Sequence, residues 1–293
     1  VPTSILHPLN AICSFSLACK YSRQTSERNS GQFKVEETHS YGDYVLHIGR
    51  STEGSLQCGD GITASVNEKR RDAIVSNHTS THLVNHALRA VLGDDIQQRG
   101  SLVDKDKLRF DFSHAHAMTD KQVEQVEQLV NQAIENDKVV DAQEVPLELA
   151  QSIYGVRAVF GERYPNPVRV VSIGTTVQEL LQDPTNESWY ESSVEFCGGT
   201  HLEGCGGAGH FIVLHEQALA SGVRRILAVT GVEAKAAHEA GVSLLQQIEE
   251  ANQLEDQQLC DAYDDCNRLV DELSISQTVK RGAKAKLKEL FSR

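Results

Sequence analysis

Two short motifs, about 120 residues apart, carry the side chains best suited to chemistry: His78-Thr-Ser-Thr-His82 and Cys197-Gly-Gly-Thr-His201. Each sets two nitrogen or sulfur donors four residues apart. On a helix that spacing puts both side chains on one face, because roughly 3.6 residues make a turn. Together the motifs offer three imidazoles and one thiolate, a donor set that suits tetrahedral zinc; the soft sulfur disfavours Mg²⁺ and Ca²⁺. Four protein ligands normally close a structural site, whereas catalysis needs an open position or a ligand that can leave. Spacing alone leaves both readings open. Gly198 and Gly199 are expected to let the backbone turn closely beside the metal.

Other candidates carry less. His114-Ala-His116 is a second His pair on alternating geometry, a pattern more often solvated than metal-binding. His86 extends the first motif's face and reads equally as a core histidine or a support for the ligands. Gly204-Cys-Gly-Gly-Ala-Gly209 is Gly-rich, but no strand–loop–helix frame with a Lys follows, so it is a poor phosphate cradle. No Walker motif, dinucleotide fingerprint or serine nucleophile elbow is present. Cys197 as a nucleophile is a weaker reading than Cys197 as a ligand, because His201 follows it at ligand spacing.

The elements that must position these groups follow from periodicity. Residues 32 to 71 read as β: Phe33 to Val35 alternates, Tyr44 to Ile48 is a compact strand after a turn at Gly42-Asp43, and Ile62 to Val66 is another after Gly59-Asp60-Gly61. From Thr79 to Val91 the apolar spacing becomes helical, with Asn77 as the expected N-cap and Gly93 as the stop. That places His78 and His82 on the helix's first turn. Arg109 to Phe112 alternates as a strand. Thr119 to Asn136 is a helix opened by a capping box with Gln122. Short helices are expected over Val145 to Ser152 and Val177 to Leu181, and strands over Val168 to Ile173, Phe211 to His215 and Val223 to Val229. Residues 232 to 293 are helical throughout and read as a long antiparallel pair or a coiled-coil arm.

The bulk properties bound the function. With 293 residues and 40% hydrophobic content the chain can build one or two cored domains, chiefly from Val, Leu, Ile and Ala, since aromatics make up 5%. A net charge of −13 argues against nucleic-acid binding by charge alone, though not against a local basic strip. Seven cysteines at irregular spacing, with 12 histidines, fit a reducing compartment and a metal site better than a disulfide framework. No stretch approaches the roughly 18 apolar residues of a membrane span. The Ser-rich first thirty residues read as a poorly structured leader, with a faint transit-like composition. The chain opens on Val1, as a fragment or processed product would.

The segments Asn77-His-Thr-Ser-Thr-His-Leu83, Gln98-Arg-Gly-Ser-Leu102, Arg109-Phe-Asp-Phe112 and Ser193-Val-Glu-Phe-Cys-Gly-Gly-Thr-His201 resemble, in this order, the editing domain of alanyl-tRNA synthetases. That domain is shared with threonyl-tRNA synthetases and free-standing alanyl-tRNA editing proteins. Gly42 to Gly49, Gly59-Asp60, Arg70-Arg71, Gly222 to Ile226 and Val229-Thr-Gly231 are similar to the same family, so the likeness runs from about residue 33 to 232. The resemblance implies one Zn²⁺ held by His78, His82, Cys197 and His201. It places Gln98 at the editing pocket, and Thr79 and Thr81 on the zinc helix as hydroxyls able to read a seryl side chain. The implied reaction is hydrolysis of the aminoacyl ester of tRNA(Ala) wrongly carrying serine or glycine. Such a second sieve is needed because one small group gives a synthetase pocket only about 1–3 kcal/mol of discrimination.

Lys69, Arg70, Arg71, Arg99, Arg224 and Arg225 are the basic residues for a tRNA-facing strip. Nothing resembles the ATP-dependent aminoacylation domain, so the expected protein is a trans-editing factor or the editing portion of a synthetase. Its partners are mischarged tRNA(Ala) and a separate aminoacylation subunit, with no membrane. Its compartment is the cytoplasm, with mitochondrion or plastid as alternatives. A catalytically weak, zinc-stapled tRNA-binding module is the competing reading. The expected fold class is α+β: an unassigned leader over 1–31, a small β-barrel over 32–76, a two-layer α/β zinc-containing editing domain over 77–232 and a helical, coiled-coil-like arm over 233–293.

Overall fold

The computed structural model describes residues 19–22, 31–41, 44–159 and 161–291. The turn expected at Gly42-Asp43, and the leader apart from Cys19–Ser22, lie outside the described residues. The chain divides into two units: residues 1–74 with 198–200, and residues 75–197 with 201–293.

In the first unit, strands β1 (Cys19–Ser22), β2 (Gln32–Tyr41), β3 (Tyr44–Glu53) and β4 (Thr63–Val66) pair antiparallel in the order β3-β2-β1-β4. This corrects the expected small β-barrel. Among the described residues the sheet is open: β3 and β4 are its two edges and do not pair with each other. Closure requires tilted strands with a consistent stagger around the ring. Here β1 and β4 are only four residues long and cannot carry the ten-residue β2–β3 hairpin round into a cylinder. Strand β1 also lies ahead of the segment from which a barrel was expected.

Helix α1 (Glu68–Leu92) follows. It begins about ten residues before the expected start, and its opening turn is held by Asn67, whose Oδ1 accepts the Arg70 N–H at 3.0 Å. Asn77 is therefore a buried mid-helix residue rather than a cap. The local signal misleads because Ser, Thr and Asn compete for backbone bonds and so favour helix ends. Tertiary bonds override that preference. Asn77 Nδ2 donates to the Asp104 carbonyl at 2.9 Å, and its Oδ1 accepts from Thr230 Oγ1 at 2.9 Å.

In the second unit, strands β5 (Gln98–Val103), β6 (Leu108–Ser113), β10 (Phe211–Ala220) and β11 (Val223–Thr230) form an open antiparallel sheet in the order β10-β11-β6-β5. One face carries Phe110, Phe112, Phe211, Val213, Ile226 and Ala228. It packs against Leu83, Val84 and Leu88 of α1 and Val123, Val126 and Val130 of helix α2 (Asp120–Glu135). Thr119 and Gln122 make the expected capping box. On the opposite face, Ile212 and Val229 meet Ala234 and Ala237 of helix α5 (Gly231–Ala251).

Strands β7 (Val140–Val145), β8 (Val168–Ile173) and β9 (Ser193–Phe196) make a separate three-stranded sheet. Its core is shared with helices α3 (Leu147–Gln151) and α4 (Val177–Gln182). Alternation alone had not indicated β7, whose polar residues Asp141, Gln143 and Glu144 dilute the pattern.

The C-terminal helices are three, not an antiparallel pair: α5, α6 (Asp256–Glu272) and α7 (Gln277–Phe291). They surround their own core of Leu244, Ile248, Val270, Ile275, Ala283 and Leu287. Breaks at residues 252–255 and 273–276 interrupt what reads as a continuous helical pattern.

Candidate metal centre

The two motifs meet. His78 and His82 project from the middle of α1, and Cys197 and His201 come from the segment that leaves β9. One donor atom from each residue lies within 4.8 Å of the others, and among the described residues no other set of three or more His, Cys, Asp or Glu gathers in this way. Cys197 Sγ stands 3.4 Å from His78 Nε2. The imidazole centroids of His78 and His201 are 4.2 Å apart, those of His82 and His201 4.9 Å.

Three anchors hold this geometry. The Cys197 N–H donates to the Arg169 carbonyl at 3.1 Å, while Arg169 Nη1 donates back to the Cys197 carbonyl at 2.9 Å. The Leu202 N–H donates to Thr79 Oγ1 at 3.1 Å, tying the residue after His201 to α1. Packing of Leu83, Val84, Ala87 and Leu88 fixes the helix itself, since its Ser/Thr/Asn-rich middle has poor intrinsic helix propensity.

The electrostatics favour a thiolate. Burial alone would raise the Cys197 thiol, but the neighbouring imidazoles of His201, His78 and His82 outweigh it and bring the pKa to about 2. Burial lowers His201 to about 4 against the pull of Cys197, so it is a neutral imidazole at physiological pH. His82 is opposed by burial too, yet the Glu195 carboxylate raises it to about 10.

The donor set fits a soft divalent ion. Tetrahedral zinc with bonds of about 2.0–2.3 Å puts its ligand atoms about 3.3–3.8 Å apart; the Cys197–His78 pair at 3.4 Å already falls in that range, and the four donors together lie within 4.8 Å. Moreover, His82 Nε2 and His201 Nε2 are buried polar atoms with no hydrogen-bond partner. Such orphans are costly unless something else satisfies them, and an ion bound between them would. The cluster can hold a metal ion.

The remaining sequence candidates fall in different places. Thr79 is fully buried, and its hydroxyl contacts His201 Nδ1 at 3.4 Å as well as the Leu202 N–H. Thr81 is buried and donates to the Asn77 carbonyl at 2.9 Å. Gln98 is half-buried on the edge strand β5, where its Nε2 donates to Ser101 Oγ at 3.1 Å.

Arg224 and Arg225 are consecutive on β11 and so project to opposite faces of the sheet. Arg224 Nε pairs with Glu216 at 2.5 Å, and Arg225 makes a two-pronged bond to Asp111 at 2.7 and 2.9 Å. Arg99 is exposed, and Arg70 and Arg71 are half-buried near the start of α1. His114 and His116 stand edge to face at 6.4 Å, and His86 lines a small cavity with Lys138 and Ser193.

The Gly-rich loop has a packing explanation. A Cβ at Gly204 or Gly206 would meet Asp137 Oδ1 at 2.4 or 2.8 Å, and one at Gly207 would meet Leu202 at 2.9 Å. Asp137 Oδ1 accepts the Gly206 N–H at 2.7 Å. Cys205 is buried in the main core, and burial with the nearby Asp137 raises its thiol to about 11, leaving it unreactive. At Gly198, by contrast, an added Cβ would meet nothing within 4 Å, so protein packing does not require glycine there.

Sequence reasoning passed over Glu195 and Asn85. Glu195 Oε2 lies 2.7 Å from His82 Nδ1, and Oε1 accepts from Asn85 Nδ2 at 2.8 Å. The signal was available: Glu195 sits two residues before Cys197, and on an extended chain positions i and i+2 share a face.

The sequence of the chain is similar to those of known proteins. Residues 168–226 match the family model described as "Threonyl and Alanyl tRNA synthetase second additional domain". The chain is 47% identical over 226 residues to the mitochondrial alanine–tRNA ligase of Saccharomyces cerevisiae, an alignment covering 77% of this chain and 23% of that protein. It is 48% identical over 223 residues to the alanine–tRNA ligase of Candida albicans, covering 76% and 23%. Against the cytoplasmic alanine–tRNA ligase of Dictyostelium discoideum it is 44% identical over 260 residues, covering 88% and 28%. The chain thus spans about a quarter of the length of these relatives.

Proposed function

We propose that this chain is a zinc-dependent editing hydrolase that removes serine or glycine from mischarged tRNA(Ala), as the editing portion of an alanyl-tRNA synthetase or as a trans-editing factor. The observation that supports it best is the convergence of His78, His82, Cys197 and His201 on one point, within a chain similar to alanine–tRNA ligases. A bound Zn²⁺ would supply a Lewis-acidic centre that orients the aminoacyl end.

The chain's own residues do the rest. The four donors fix where the aminoacyl group sits relative to α1. Thr79 holds His201 and the following backbone in register, which makes its role one of positioning. Gln98 is proposed to contact the aminoacyl group from strand β5, whereas the Thr81 hydroxyl is taken up by the Asn77 carbonyl. Arg99, on the same strand and exposed, is the best placed of the basic residues to meet tRNA phosphate. Arg224 and Arg225 already neutralise carboxylates and would contribute less. No helix among the described residues is long and apolar enough to cross a membrane. We place the activity in the cytoplasm, following the relatives named cytoplasmic, with a mitochondrial setting as the alternative.

One observation favours a second reading. Four protein donors can complete a tetrahedron, which is the habit of structural zinc. The chain would then be a zinc-stapled tRNA-binding module with little catalysis. Incubation with seryl-, glycyl- and alanyl-tRNA(Ala) separates the two. Release of serine and glycine with alanine retained is expected, together with loss of at least 100-fold in deacylation for Cys197→Ala, by roughly the scale of a lost catalytic group. Tight tRNA binding without any amino-acid release would favour the module. Full release by zinc-stripped protein would remove the metal from the reaction.

A further inference from the structure

Glu195 is a buried carboxylate on an edge strand, a position that needs a reason. Its side chain is 11% exposed, and the His82 ring beside it 7%. Burying an ionised carboxylate is costly unless donors compensate it. Both of its oxygens are engaged from one face of α1: Oε2 by His82 Nδ1 at 2.7 Å and Oε1 by Asn85 Nδ2 at 2.8 Å. His82 and Asn85 are three residues apart, so a single carboxylate spans both. The His82 N–H does not point squarely along the N–O line, but 2.7 Å is the separation of a charge-assisted contact.

The consequence concerns the other ring nitrogen. With Nδ1 set 2.7 Å from Glu195, Nε2 is the nitrogen left for an ion, and it makes no hydrogen bond. His201 shows the same division with a neutral support: Nδ1 lies 3.4 Å from the Thr79 hydroxyl, and Nε2 is without a partner. One ligand histidine is therefore backed by a charge and the other by a hydroxyl. The charged support is the stronger, because a carboxylate both fixes the tautomer and makes the metal-facing nitrogen a better donor.

We propose that Glu195 is the principal positioning residue of the metal centre: it holds the His82 ring with Nδ1 toward itself and so leaves Nε2 for the four-donor cluster, with Asn85 holding the carboxylate in turn. This rests on reading the four-donor cluster as a metal site. Glu195 does not touch the aminoacyl group and takes no part in bond breaking.

The test measures metal affinity rather than turnover. Zinc binding to the full chain is read by competition with a chromogenic chelator, and Co²⁺ binding by its visible d–d absorption, which reports tetrahedral coordination. Glu195→Ala is expected to weaken zinc by roughly 10- to 100-fold, the usual range for losing such a support. Glu195→Gln guards against a folding defect, since its amide can donate to Asn85 Oδ1, which has no partner now. It should fold normally and lose several-fold in affinity, between wild type and Glu195→Ala, with a weakened Co²⁺ spectrum. Wild-type affinity and an unchanged Co²⁺ spectrum in Glu195→Gln, while His82→Ala loses both, would overturn the proposal and leave the metal reading intact. Failure of the wild-type chain to bind either ion would remove the metal reading and this proposal with it.

Discussion

The molecule contains two open four-stranded antiparallel sheets, and they are built on different terms. The sheet β10-β11-β6-β5 is covered by α1 and α2 on one face and partly by α5 on the other. Among the described residues, the sheet β3-β2-β1-β4 has Val35 as its buried core residue, backed by half-buried Phe33, Leu56 and Ile62. Tyr41, Tyr44, Val45, Ile48 and Val66 of that sheet remain exposed. Hydrophobic stabilisation scales with apolar area removed from water, so the first sheet is a rigid platform and the second a lightly cored one. All four metal-ligand candidates sit in the unit with the rigid platform. A site whose donors must meet within a few ångströms needs elements that packing has already fixed.

The contrast can be tested at its strongest point first. Phe110→Ala opens the core between β6 and the helices α1 and α2 and should cost about 3–5 kcal/mol in chemical denaturation. Any zinc affinity should fall as well, because α1 carries two of the four candidate ligands. An unchanged affinity would show that the ligand geometry does not depend on the platform.

A middle-sized effect is expected where α2 meets β10 and the start of α7. Burial raises Glu127 to about 7, opposed by hydrogen bonds from the Val213 backbone and Ser276 and reinforced by nearby Glu124. The folded state therefore holds a proton that the unfolded chain releases at an ordinary carboxylate pKa. That stability is present in full below about pH 4.5, declines as pH rises and is gone above about pH 7. Glu127→Gln should be more stable than wild type at about pH 8, by on the order of 2 kcal/mol, and nearly equal to it at about pH 4. Parallel stability–pH curves for the two proteins would show that Glu127 is not the group responsible.

The smallest effect is expected in the lightly cored sheet. Val35→Ala should cost about 1–2 kcal/mol and leave zinc affinity within about two-fold of wild type. A large loss of zinc binding there would mean that the two units share more of the site's support than their separate cores suggest.

Much of the platform was legible in sequence, and the exceptions have physical causes. The strands β6, β10 and β11 and the capped helix α2 follow from alternation, apolar runs and a capping box, all local signals. The start of α1 was misread because Asn77 looks like a cap; its bonds to Asp104 and Thr230 are tertiary. The barrel expected over residues 32–76 fails because closure depends on strand length and stagger, which no residue pattern encodes by itself. The continuous helical pattern after residue 232 concealed two breaks, since a three-helix bundle and a long pair present similar apolar lines.

The candidate site divides the same way. Donor chemistry and spacing, His78 with His82 and Cys197 with His201, are properties of the chain and were readable from it. That the two pairs converge on one point, that Thr79 faces His201 rather than open space, and that Glu195 backs His82 were decided only by the packing of α1 against β9 and the loop after it. Spacing reports which side chains share a face of one element. Which face meets which is settled by burial summed over the whole core.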